Sequence, residues 1–173
     1  MSTHYNAFIS YRHSQVDSQI AAEIQRRLEH FAVPRSIQKK TGKKKIDRIF
    51  RDKEELPITS DLNDDITEAL ANSDYLIVIC SPRTGESVWV EREIETFLKT
   101  HSRREVLTVL AEGEPADTIP EILRYDETMD PITKQVVHTA IEPLSCDWRV
   151  PARQARREEL PRLAAALLGC TYD

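Results

Sequence analysis

Apolar positions along the chain fall into short runs separated by stretches of helical spacing. "YNAFIS" (5–10), "DRIFRD" (47–52), "DYLIVICS" (74–81), "EVLTVLA" (105–111) and "QVVHTAIEPL" (135–144) suit strands. The run at 74–81 is the most apolar of all, as a strand covered on both faces should be. Between them, Ile20, Ile24, Leu28 and Phe31 mark a helix over 16–31, with Asp17 or Ser18 as its cap. Leu62, Ile66 and Leu70 mark a second over 60–73, with acids in its first turn. Val90, Ile94, Phe97 and Leu98 form one stripe of a third, about 89–100. Residues 112–134 read as irregular, with a short helix near 119–124. The tail 151–168 is helical in composition and ends at Gly169 as a C-cap, and Pro161 starts or kinks its last helix. Strand and helix alternating about five times predicts a parallel sheet with helices on both faces. With strand order 2-1-3-4-5, a ligand crevice opens outside the carboxyl ends of strands 1 and 3. The loops there are "SYRHSQVD" and "SPRTGESVW".

The third helix carries three glutamates in "SVWVEREIETFL" (87–98). Residues three or four apart share a helical face and residues two apart do not. Glu91, Glu95 and Lys99 therefore share a solvated face. Glu93 lies on the margin of the apolar stripe, one turn after Trp89 and one turn before Phe97. The crevice loop runs straight into this helix, so topology alone brings Glu93 to the expected site. A first-turn acid favoured by the helix dipole is the other reading of the same residue.

Composition narrows the classes. The chain has 173 residues, 40% hydrophobic and 31% charged, which suits one domain with a real core. A net charge of −5 and a pI near 5.6 argue against a general nucleic-acid binder. No apolar run approaches the ~20 residues of a membrane span. The start "MSTHYNAFIS" lacks a basic region followed by an apolar one, and Cys80, Cys146 and Cys170 form no CxxC or Cys/His cluster. These features predict a reduced, cytoplasmic protein without a structural metal. "KKTGKKK" (39–45) is a basic loop that can touch phosphates or simply stay solvated. Four glycines leave no GxGxxG and no phosphate-binding GxxxxGK[ST] loop, and GxSxG and HExxH are absent. Ser10 and His13 have no orienting acid for a serine-hydrolase triad. "CSPRT" after the third strand lacks the acidic phospho-acceptor of a receiver domain.

"AFISYRH", "RIFRDKEELP" and "LIVICSPRTGESVWVEREIETFL" resemble the three conserved boxes of a bacterial Toll/interleukin-1 receptor (TIR) domain. The resemblance covers residues 5 to about 170. It implies a single TIR domain over 1–173, of a kind that longer bacterial proteins follow with further domains. It implies a flavodoxin-like fold, a five-stranded parallel sheet in the order 2-1-3-4-5. It also implies cleavage of NAD+ to nicotinamide and ADP-ribose or a cyclic ADP-ribose, in bacterial defence signalling, with NAD+ as substrate and no separate cofactor. In such enzymes the catalytic glutamate stands four residues after the tryptophan of W-x-x-x-E, which here is Glu93. The chemistry agrees: breaking the nicotinamide–ribose bond gives an oxocarbenium-like transition state that a carboxylate stabilises. Nicotinamide leaves neutral, so no second acid is required.

The resemblance extends to neighbouring residues. Arg12 resembles the family's ligand-facing arginine, able to fork onto a phosphate; a salt bridge to an acid such as Asp52 is its alternative. Tyr11 stacks on a base or covers the strand end. Ser10 and Ser81 end strands 1 and 3 and can bond ribose or phosphate. Trp89 packs or walls the nicotinamide pocket. Residues 51–62 match the loop that gates the site and mediates contact with other TIR domains through 53–60, and Asp52 is its member nearest the ligand. His13 departs from many relatives and receives no role. The competing function is a non-catalytic TIR–TIR scaffold, whose members usually lack the glutamate.

Overall fold

The computed structural model describes residues 4–52, 64–140 and 144–169. β1 (Tyr5–Ser10), β2 (Ile49–Arg51), β3 (Ser73–Cys80) and β4 (Val106–Leu110) fall on four of the five expected apolar runs. β5 (Tyr125–Met129) and β6 (Val136–Ala140) pair antiparallel as a separate hairpin. β7 (Leu144–Asp147) joins β4 in parallel and completes a sheet ordered β2-β1-β3-β4-β7. The order 2-1-3-4-5 therefore holds with β7 in fifth place.

The expected fifth strand at 135–144 needs correction. Its apolar residues Val136 and Val137 are 55% and 45% exposed, on a hairpin that does not enter the main sheet. The true fifth strand reads only "LSCD". An edge strand is covered less than a central one and needs no long apolar run. Among the described side chains of β7, Cys146 is the fully buried one.

Eight α-helices surround the sheet among the described residues. They are α1 (Gln15–Glu29), α2 (Arg35–Thr41), α3 (Asp64–Ala71), α4 (Val88–Leu98), α5 (Pro115–Thr118), α6 (Glu121–Arg124), α7 (Ala152–Gln154) and α8 (Leu160–Leu167). α2 was not foreseen, because it is short, polar and buries no residue. It ends where Gly42 takes the left-handed φ of 73°. Gly169 likewise closes α8 at a φ of 76°. α1 is capped by Ser14, whose Oγ accepts from Asp17 N at 3.2 Å. Asp17 is thus the third helical residue and not the cap. The expected start of α3 at 60–63 lies outside the described residues. Ahead of α8, Ala155–Glu159 widens into a π turn in which Leu160 N bonds Ala155 O. Pro161 lacks the N–H that would bond Arg157 in a regular helix, which accounts for the widening.

Each sheet face has its own core. Ile77 and Ile79 of β3 meet Ala21, Ile24 and Leu28 of α1 and Leu163 and Leu167 of α8. Leu76, Val78 and Cys80 meet Ile66 and Leu70 of α3 and Val90, Ile94 and Phe97 of α4. β3 is therefore apolar at every position from 76 to 80 because both sides are covered. Each large side chain so buried contributes about 1.5–3 kcal/mol. These two cores fix α1 and α4 over the carboxyl ends of β1 and β3.

Candidate active site

β1 ends at Ser10 and α4 passes directly over it. Ser10 Oγ donates to Glu93 Oε1 at 2.8 Å, and both residues are buried, Glu93 to 2% exposure. Glu93 thus faces the sheet and not the helix margin expected for it. Glu91 and Glu95 are exposed, as the helical spacing required. Ser87 caps α4, its Oγ accepting from Val90 N at 3.2 Å, and this fixes the phase of the helix that turns Glu93 inward.

Burial pushes the Glu93 carboxyl well above the usual carboxylate range. The Ser10 bond pulls it down, and the charge of Asp52 pushes it further up. Glu93 Oε2 is buried with no hydrogen-bond partner among the described residues, and so is Trp89 Nε1 one turn earlier. Buried polar atoms are nearly always paired. One face of α4 thus carries a buried donor and a buried acceptor without partners among the described residues.

Tyr11 follows Ser10 and covers the strand end at 3% exposure. Its hydroxyl donates to Asp52 O, Arg51 Nη1 donates to that hydroxyl at 3.4 Å, and its ring stacks on His13 at 4.5 Å. Burial raises the Tyr11 hydroxyl above its ordinary value, with Arg51 opposing. Tyr11 therefore holds the end of β2, and with it Asp52, beside the Glu93 carboxyl. Arg12 is half-buried and makes no ion pair among the described residues, so the salt bridge to Asp52 does not form. Ser81 does not face Glu93. Its Oγ donates to Asp17 Oδ2 at 3.1 Å, and its N–H donates to Thr84 Oγ1 at 2.7 Å.

Asp17 is the residue that sequence reasoning missed. It is 2% exposed and ties the β1–α1 turn to the β3–α4 turn, the two walls of the crevice. Burial raises its carboxyl; the Ser81 bond and the Arg12 charge lower it, and Glu112 raises it. The spacing Ser14-x-x-Asp17 was the available signal, because it is that of a capping box. Its second contact, across to Ser81, is tertiary and leaves no trace in local spacing.

The TIR domain family matches residues 7–138. The chain belongs to that family. A curated TIR relative, the NAD(+) hydrolase ApTIR of an Actinoplanes species, is 29% identical over 182 aligned positions, covering 98% of this chain. The chain spans 24% of that relative's length. Among solved structures, the TIR domains of the activated Roq1 resistosome directly recognizing the pathogen effector XopQ align with a TM-score of 0.46 at 19% identity. That alignment covers 65% of this chain and 60% of the other. The folded TIR unit runs past the matched residues, since β7 closes the sheet at 144–147 and α8 covers it at 160–167.

Proposed function

We propose that this TIR domain cleaves the bond between nicotinamide and ribose in NAD+, with Glu93 as the acid that stabilises the developing cation. One observation carries the reading: a sealed carboxylate at the carboxyl end of the central strands, held through one oxygen by Ser10 while the other has no partner among the described residues. A carboxylate in a dry, preorganised site acts far more strongly on positive charge than one in water. The similarity to the NAD(+) hydrolase ApTIR supports the same chemistry.

In the reaction the C1′–N bond breaks and its electron pair stays with nicotinamide, which leaves neutral. Water adds at C1′ to give ADP-ribose and releases a proton. A cyclic product forms when a nucleophile of the same molecule replaces water. Glu93 acts as the ionised form, so its proton passes to solvent as the cationic nicotinamide ring arrives. Trp89 walls the nicotinamide side, Arg12 meets a phosphate, Asp52 adds a second negative group beside Glu93, and Ser10 orients the Glu93 carboxyl. Ser81 positions the crevice through Asp17. The TIR resemblance also supports self-association through residues 53–60, which lie outside the described residues, and a cytoplasmic role in defence signalling. No described helix is long and apolar enough to cross a membrane.

The test is to incubate the chain at high concentration with NAD+ and resolve the products by chromatography. Nicotinamide is expected to rise as NAD+ falls, mole for mole. Intact NAD+ at high enzyme concentration would put the scaffold reading in front.

A further inference from the structure

A groove opens between the last turn of α1 and the π turn before α8, and none of the Glu93 site residues lines it. The groove holds about 650 Å3 and is lined by Arg26, Arg27, His30 and Arg156 around an apolar floor of Phe31 and Leu160. That size is ordinary for a small-molecule site.

We infer that this groove binds a phosphate-bearing ligand. Glu23 Oε1 accepts from Arg27 Nε at 2.9 Å and from Arg156 Nε at 2.7 Å, so one carboxylate holds two guanidinium groups side by side. Their Nη groups make no protein hydrogen bond among the described residues, and Arg26 makes no ion pair there. Three guanidinium charges thus face one carboxylate. The carbonyl end of α1 supplies roughly a further half negative charge. That leaves an excess of more than one positive charge over an apolar floor. The α1 dipole explains Arg26 and Arg27 in its last turn. It does not explain Arg156, which a separate element brings to the same carboxylate. Paired guanidinium forks match phosphate oxygens.

The chain that follows these α1 residues is basic too: from Arg26 to Arg48 it carries nine lysines and arginines against two acids, although the net charge is −5. A field of one sign raises the local concentration of anions.

A soluble organic phosphate and a phospholipid headgroup share the required chemistry, and the experiment separates them. ADP is titrated calorimetrically into the wild-type chain, Arg26→Gln, Arg26→Gln/Arg156→Gln and Arg12→Gln. The same proteins are sedimented with phosphatidylcholine vesicles with and without phosphatidylglycerol. Saturable ADP binding that weakens at least ~10-fold in the double variant, and not in Arg12→Gln, assigns a soluble ligand to the groove. Co-sedimentation with anionic vesicles only, lost in the double variant, assigns a headgroup. Arg26→Gln breaks no ion pair, so it decides the matter should the double variant fail to fold. Binding unchanged by the groove substitutions, or no binding of either probe, overturns the inference.

Discussion

At the scale of one residue, the burial of Glu93 makes its charge state the controlling variable. Because burial holds its carboxyl well above the usual range, kcat/KM for NAD+ should rise with pH through that raised value. Ser10 lowers it and Asp52 raises it, so Ser10→Ala should move the rising limb to higher pH and Asp52→Asn to lower pH. A limb near pH ~4.3, the ordinary glutamate value, in all three proteins would contradict this. Stability has the opposite sign. The folded state holds the Glu93 proton more tightly than the unfolded chain. Its contribution is therefore present at low pH and is lost as pH rises through the folded value. Glu93→Gln keeps an acceptor for Ser10 without a buried charge, so its Tm should exceed wild type by a few degrees, ~2–4 °C per kcal/mol, with the gap widening as pH rises. A Tm below wild type at neutral pH would show that the buried charge is not a liability. Glu93 was legible because its phase on the helix differs from that of Glu91 and Glu95. Its full burial was not, since that depends on α4 lying across Ser10, 83 positions away.

At the scale of elements, local patterning reported what local burial determines. β3 and α4 were readable because their apolar positions repeat the geometry of the surfaces that cover them. β7 was hidden because an edge strand needs few apolar residues, and the hairpin misled because valines there serve pairing without burial. Two-stranded hairpins are marginal by themselves. The amides of β5 and β6 should therefore exchange with solvent at least ~100-fold faster than those of 76–80 in β3, by hydrogen-exchange mass spectrometry. Equal protection would mean the hairpin is held by more than its own ladder. Asp17 works at this scale too, since it joins two crevice walls. Asp17→Asn should raise KM for NAD+ more than it lowers kcat, because it loosens the walls without touching Glu93. A loss in kcat alone would place Asp17 among the reacting groups.

At the scale of the molecule, the crevice and the groove carry different charge and chemistry. The crevice gathers Glu93, Asp52 and Asp17, and the groove gathers Arg26, Arg27 and Arg156. Self-association through 53–60 predicts that the specific rate falls on dilution, and strict proportionality down to nanomolar enzyme would show that the single chain suffices. The central claim is that one carboxylate of three on α4 performs the cleavage. Its most direct test is nicotinamide release from NAD+ by Glu91→Gln, Glu93→Gln and Glu95→Gln, measured side by side at equal folded concentration. Glu93→Gln is expected to lose ~100-fold or more, equivalent to ~2.7 kcal/mol of transition-state stabilisation. The other two should stay within a few-fold of wild type, since both face solvent. Equal losses in all three, or undiminished release by Glu93→Gln, would contradict it.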